Sequence, residues 1–262
     1  MPSIVDLVPV FIIGFFVVGM VAERIVPGRK LETVRRWYLR AAISFVATMA
    51  INAILPMLFT AWMAKHTPLN LTRLGTVGGG LVALVVSDLA SYWLHRLEHR
   101  STTLWRWTHQ MHHSAERVDV AGAAYFHPFD IALQTIVTTL ATGVLGVTPA
   151  AAAVAGIASV FLAVFQHLNV ATPVWLGYIL QRPEGHSVHH QRGVHAYNYG
   201  NLSLWDMVFG TFRNPVGFAT EAGFYDGASA RVGAMLIGRD IGTPVDKATA
   251  PVIAPSMESV RA

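Results

Sequence analysis

Long apolar runs alternate with short polar segments along this chain, and that pattern confines it to a bundle of helices in a bilayer. Ile4 to Ala22 is apolar except for Asp6. Ala41 to Met63 follows, with Pro56 as a kink point. Leu74 to Leu94 carries Gly78-Gly79-Gly80, which permits close helix packing. Ile131 to Val147 and Ala150 to Leu168 are separated by Thr148-Pro149. About 20 apolar residues in helical form cross a hydrocarbon core of roughly 30 Å, and a helix satisfies its own backbone polar groups where no water can. Only 13% of residues are charged and mean hydropathy is +0.45, against about 25% charged in an ordinary soluble domain. The expected fold is all-α, with multi-pass transmembrane helices.

Charge orients the bundle. Arg24, Arg29, Lys30, Arg35, Arg36 and Arg40 follow the first run, so this loop is expected on the cytoplasmic side. The third run then ends on that side. The last two form a hairpin that crosses and returns, or a re-entrant pair, because each arm is short and rich in Gly and Ala. A cleaved signal peptide is disfavoured, since the N-terminus has no basic segment and the run is long. Residues 1–242 read as a single domain with a histidine core at 87–211, and Thr243 to Ala262 as a flexible C-terminal tail. The absence of cysteine removes thiol nucleophiles, haem-thiolate, iron–sulfur clusters and disulfides. A pI near 9.6 carried mostly by loop Arg points to membrane orientation and phospholipid contact rather than nucleic acid. Arg in excess of Lys, with abundant Ala and Gly, suggests a bacterial inner membrane.

Eight of the twelve histidines fall into three clusters: His95-Arg-Leu-Glu-His99, His109-Gln-Met-His112-His113 and His186-Ser-Val-His189-His190. Spacings of i, i+4 and i, i+3, i+4 put these rings on one helix face. Neutral imidazole is the commonest metal ligand, and a tetrahedral ion takes about four, so eight suit two metal ions. The span count brings all three clusters to one membrane face. Nitrogen-rich coordination in a lipid-facing protein points to non-haem iron, with zinc hydrolysis as the weaker option.

Other polar residues divide by position. Asp88 lies in an apolar run on the helix face of Tyr92, His95 and His99. It would either accept the free N–H of a ligand histidine, supporting the metal from behind, or pair with Arg96. Glu98 could act as a base, but a salt bridge to Arg96, Arg100 or Arg106 is the favoured reading. His127 and His167 are candidates to complete the site, His167 the better of the two. His195 reads as a loop residue and His66 lies on the far side. Trp105, Trp107, Tyr125, Phe126, Tyr197, Tyr199 and Trp205 would line a lipid slot or form an interfacial belt.

The segment Ser87 to Asp240 resembles the fatty acid hydroxylase / sterol desaturase superfamily of membrane di-iron enzymes. The resemblance rests on Ser87-Asp-Leu-Ala-Ser-Tyr-Trp-Leu-His-Arg-Leu-Glu-His99, Leu104-Trp-Arg-Trp-Thr-His-Gln-Met-His-His-Ser114, Phe126-His-Pro128, Gln166-His-Leu-Asn169, His186-Ser-Val-His-His190, Asn198-Tyr-Gly200 and Trp205-Asp-Met-Val-Phe-Gly-Thr211. It implies transmembrane helices under a cytosolic histidine-rich helical cap, two Fe ions, O2 as co-substrate and two external electrons. It also implies His95, His99, His109, His112, His113, His186, His189 and His190 as ligands, with His127 and His167 as additional ones. The expected activity is hydroxylation or desaturation of an unactivated C–H bond in a fatty acyl, sterol or related lipid entering from the bilayer. Electrons would come from a separate ferredoxin or cytochrome with its reductase. Carotenoid hydroxylation is the alternative within this class. A histidine-rich metal transporter is the alternative outside it, disfavoured because the runs are nearly free of polar residues apart from Asp88. A bis-histidine haem carrier would need single histidines facing each other inside spans.

Overall fold

Each apolar run is helical, four as one helix and the second as two. In the structure, a computed structural model that describes residues 2–242, α1 (Ile4–Ile25) opens with a capping box. Asp6, the one charge near its start, accepts from the Ser3 N–H at 2.8 Å, while Ser3 Oγ caps the Asp6 N–H. The second run divides into α2 (Trp37–Ile54) and α3 (Met57–His66), broken at Leu55-Pro56. The third run is α4 (Gly75–Glu98), and the last two are α7 (Pro128–Gly143) and α8 (Pro149–His167). Stretches at Ile4–Ile25, Trp37–Met63, Thr72–Glu98 and Pro149–His167 are long and apolar enough to cross a membrane. α7, with 16 residues, is not one of them. Among the described residues no strand forms beyond one isolated bridge between Gln191 and Ala222. The expected tail, Thr243 to Ala262, lies outside the described residues.

The last two runs do not pair as the simple hairpin that their sequence suggests. Instead α7 and α8 each pack against α4, with α2 outside α7 and α1 outside α8. The cause sits in their connection. The segment before α4 lies against this turn, with Leu69 N–H donating to the Val144 carbonyl at 3.2 Å and Leu71 N–H to the Leu145 carbonyl at 3.1 Å. Gly146 has φ +59° and faces the Leu69 carbonyl so closely that a Cβ would overlap it. On the other side, Gly79 and Gly80 bring α4 onto Ala151 and Val154 of α8. α4 is therefore the central helix. Its 24 residues extend about 36 Å, longer than a hydrocarbon core of roughly 30 Å, with His95 in its last turn and His99 capping its end.

The cap is built from short helices: α5 (Thr102–Trp107), α6 (Gln110–His113), α9 (Pro183–His189), α10 (Ser203–Val208) and α11 (Val232–Leu236). Its core joins Trp37 at the start of α2 to Met111, Tyr125 and Met235. Trp37 Nε1 donates to the Asp119 carboxylate at 3.1 Å and the Tyr125 hydroxyl to the Ser229 carbonyl at 2.6 Å, so both aromatic polar tips are satisfied.

The α4–α8 contact yields a direct test. A Cβ on Gly80 would lie 2.9 Å from Val154 Cγ1, whereas one on Gly78 would meet only Leu74 Cβ, just before α4, at 3.4 Å. Gly80→Leu should lower stability by about 1–3 kcal/mol, read as a drop in the unfolding temperature of the detergent-solubilised protein. Gly78→Leu should leave it nearly unchanged. Equal effects would place the α4–α8 contact elsewhere.

Candidate metal centre

Nine buried or nearly buried histidines converge where α4, α6, α8 and α9 meet. They form two groups, each with ligand-capable atoms within 4.8 Å of one another: His95, His99, His109, His113 and His189 in one, and His112, His167, His186 and His190 in the other. The groups adjoin, since the His113 and His190 rings stack with centroids 4.2 Å apart. Among the described residues neither group contains a carboxylate.

In the five-histidine group the outer nitrogen of each ring is held from behind. His95 Nδ1 donates to the Tyr199 carbonyl at 2.8 Å, His99 Nδ1 to the His195 carbonyl at 2.9 Å and His189 Nδ1 to the Tyr197 carbonyl at 2.7 Å. His109 Nδ1 donates to Asp130 Oδ2 at 2.8 Å. His113 Nδ1 meets His195 Nδ1 at 3.0 Å, and the His195 ring also bonds the Gly223 backbone. A carbonyl can only accept, so the Nδ1 atoms of His95, His99 and His189 carry the proton, as His109 Nδ1 does toward the Asp130 carboxylate, and these neutral rings present an Nε2 lone pair inward. The Nε2 atoms of His109, His113 and His189 are buried without a hydrogen-bond partner.

The four-histidine group shows the same logic more sharply. His112 Nδ1 lies 3.3 Å from the Tyr125 carbonyl and His167 Nδ1 lies 2.7 Å from the Ala163 carbonyl. Both Nε2 atoms are therefore lone-pair bearers, yet they face each other at 3.2 Å. His167 Nε2 and His186 Nε2 are 3.1 Å apart, as are His186 Nε2 and His190 Nε2. Two imidazole lone pairs at that distance repel unless a cation lies between them. An ion with four nitrogens at roughly 2.0 Å in tetrahedral geometry sets neighbouring nitrogens roughly 3.3 Å apart, close to the observed spacing. Protonation is a poor substitute for a cation. Burial first, then the neighbouring imidazoles, push His112, His113, His186 and His190 well below the ordinary histidine value, and burial likewise lowers His189.

One loop does much of the orienting. His195, Tyr197 and Asn198 all have left-handed backbone, φ 41°, 69° and 50°, a costly conformation for such residues. That turn aims the carbonyls of His195, Tyr197 and Tyr199 at three histidines. Asn198 holds it through Nδ2 to the Gly185 and Arg213 carbonyls, each 2.9 Å, and Oδ1 from the Arg213 N–H at 2.8 Å. Asp206 accepts from the Tyr199 and Gly200 N–H groups at 2.8 and 2.9 Å, which gives the Trp205-Asp206 element its task. Arg182, fully buried, pairs with Glu184 at 3.1 Å and bonds the Thr172 carbonyl at 2.6 Å, fixing the start of α9.

All eight cluster histidines are brought together, and His167 joins them. His127 is not brought into either group; its Nδ1 accepts from the Phe129 N–H at 3.1 Å as the cap of α7. Asp88 is also corrected. Its oxygens accept from Asn201 Nδ2 at 2.9 Å and the Leu202 N–H at 3.0 Å, so it touches neither a histidine nor Arg96. It anchors the far end of the loop that carries Tyr199. Among the described residues Glu98 makes no arginine salt bridge either. It is fully buried, 3.8 Å from His109 Nδ1 and beside Asp130, because Arg96 is spent on the Tyr92 hydroxyl and Arg106 on the Gly238 carbonyl. Asp130 and the supporting role of His195 went unread in the sequence. Asp130 is signalled only by its place in the first turn after His127-Pro128, and His195 by nothing local.

Comparison with known proteins agrees with this geometry. A fatty acid hydroxylase family profile matches residues 80–211, which include every histidine of both groups. An ornithine lipid hydroxylase of Rhizobium tropici is 32% identical over 139 residues, covering 52% of this chain and 42% of that protein. A Delta(7)-sterol-C5(6)-desaturase of Nicotiana tabacum is 30% identical over 141 residues, 52% and 49% of the two chains. An alkylglycerol monooxygenase of Danio rerio is 32% identical over 145 residues, 50% and 30%. The chain thus spans about half or less of the length of these relatives. No solved structure matches.

The depressed histidines set a pH dependence for the metal-free protein. Between the free-histidine value of about 6.5 and their lowered values, the unfolded chain takes up protons that the folded chain refuses. Stability is therefore fully present above about pH 6.5 and is lost as pH falls. His195, pushed down to about 4 by burial, extends that loss to low pH. Thermal unfolding of metal-free protein should be steady near pH 8 and decline continuously below about pH 6.5. A midpoint unchanged at pH 5 would contradict the buried neutral rings.

Proposed function

The chain belongs to the fatty acid hydroxylase family, and from that premise we propose that it is a membrane-bound di-iron oxygenase acting on a lipid. The observation that carries this reading is the set of inward imidazole lone pairs, with His112 and His167 Nε2 atoms 3.2 Å apart and no proton between them. Such a donor set fits a nitrogen-binding transition ion. One iron would be held by His95, His99, His109, His113 and His189, the other by His112, His167, His186 and His190. When bound, the pair supplies activation of O2: with two electrons and two protons, one oxygen atom enters a C–H bond as an alcohol and the other leaves as water. Desaturation uses the same inputs to remove two hydrogens and release two waters.

The chain's own residues prepare that step. The carbonyls of His195, Tyr197 and Tyr199 and the Asp130 carboxylate fix the tautomer and tilt of the rings behind which they sit. Burial of both groups excludes water from the reacting carbon. Because α4 carries His95 and His99 directly from a membrane-crossing helix, the substrate is an apolar chain or ring reaching the site from the bilayer. Arg24, Arg35, Arg36 and Arg40 support a cytoplasmic position for the cap. There an acidic ferredoxin or cytochrome could dock and deliver electrons. Asp88 belongs to the support of the loop, and His127 to the cap of α7.

Metal content separates the two added histidines. Protein expressed with ample iron should hold about two irons per chain. His167→Ala should retain about one and lose at least tenfold of its lipid product, measured by comparing lipid extracts of cells with and without the protein. His127→Ala should retain both irons. If the two variants lose iron equally, the four-histidine group is wrongly composed.

A further inference from the structure

The segment between α1 and α2 closes a second feature that the oxygenase reading leaves unused. A cavity of about 280 Å³ lies at the C-terminal end of α1, lined by Met20, Glu23, Arg24, Arg29, Lys30 and Asn169, with Arg117 at its side. Met20 is one helical turn deeper than Arg24, so the wall changes from apolar to cationic as it leaves the membrane. Four cations face one carboxylate. Glu23 is committed to the chain itself, its Oε1 accepting from the Val120 and Asn169 N–H groups at 2.8 Å. Arg117 is paired with Asp119 at 2.6 Å. Among the described residues Arg24, Arg29 and Lys30 enter no ion pair.

Arg29 is held in place rather than waving in solvent. Its guanidinium bonds the Ala219 carbonyl and lies over the Phe218 ring, 4.8 Å from the centroid, while its Nε is buried without a partner. Asn169 is only 3% exposed, and its Oδ1 is likewise without a partner. A fixed cationic donor, two unpaired cations and a buried acceptor suit a group bearing anionic oxygens beside an O–H or N–H. The apolar lower wall suits the chain attached to it. The cavity lies near the candidate metal centre along the chain. Asn169 is two residues past His167, at most about 7 Å along the backbone. The Ala219 N–H donates to Ser187 Oγ at 2.8 Å, next to His186.

We propose that this cavity binds the anionic headgroup of a membrane lipid and that, on the oxygenase reading above, the substrate is a polar lipid anchored by that headgroup beside the four-histidine group. Juxtamembrane cations attract anionic lipids, and a concave site of this size takes one headgroup rather than a protein surface.

The test uses the full, iron-loaded chain in phosphatidylcholine vesicles carrying a trace of spin-labelled phosphatidylglycerol or spin-labelled phosphatidylcholine. The wild type should retain the phosphatidylglycerol probe several-fold better. The double variant Arg24→Gln/Lys30→Gln should lose that preference about tenfold, with iron content and unfolding temperature unchanged. Arg24→Lys/Lys30→Arg should keep it. Equal retention of both probes, or a preference that survives in the Gln variant, would overturn the proposal. So would full displacement of the probe by inorganic phosphate at about 10 mM, which would mark a site for a soluble anion. A product lacking any acidic headgroup would remove the substrate assignment. Probe retention does not depend on iron, so failure of the oxygenase reading would appear in metal content and leave this result standing.

Discussion

Lone-pair repulsion between buried imidazoles is the constraint on which the rest of the structure depends. Each ring of the five-histidine group has its outer nitrogen tied to a carbonyl, a carboxylate or another imidazole, and two rings of the second group donate to carbonyls. At His112 and His167 the inner nitrogens then face each other across 3.2 Å with no proton between them. Burial keeps protons off the rings, so only a cation relieves the repulsion. Outside that role the arrangement would be a liability, since each orphaned buried polar atom costs about 1–3 kcal/mol.

That demand explains features that packing alone does not. The backbone at His195, Tyr197 and Asn198 is left-handed because three carbonyls must turn inward within a few residues. The cost is offset by side chains that serve no ligand directly: Asn198, Asp206 and Asp88 each hold the loop by its amides and carbonyls. Buried charge is used the same way at Arg182 and Glu184, which set the first turn of α9 before His186. Among the long helices, the glycines of α4 and the splay of α7 and α8 make α4 the shared wall of the bundle. The helix that bears His95 and His99 is accordingly the one packed on both flanks.

Helix positions and ligand clusters were legible in the sequence because both are local. Apolar run length predicts a helix, and i, i+3, i+4 spacing predicts a shared face, so every run is helical, the second in two pieces, and all eight cluster histidines come together. His167 was legible through its place at the end of a run. What could not be read was set by long-range partners. Asp88 was expected to serve a histidine because it lies on the same helix face, but a loop more than a hundred residues later supplies closer donors. Glu98 was assigned to nearby arginines, which the fold spends on Tyr92 and Gly238. The splayed hairpin depends on Leu69 and Leu71 bonding the α7–α8 turn, a pairing with no signature in either segment.

The central claim is that these rings enclose a pair of irons. Mössbauer spectroscopy of protein expressed with iron-57 and purified without oxygen tests it most directly. The account predicts about two irons per chain in nitrogen-rich coordination, magnetically coupled to each other and changed by exposure to O2. Zinc retained after iron-replete expression, or a single isolated iron indifferent to O2, would contradict it.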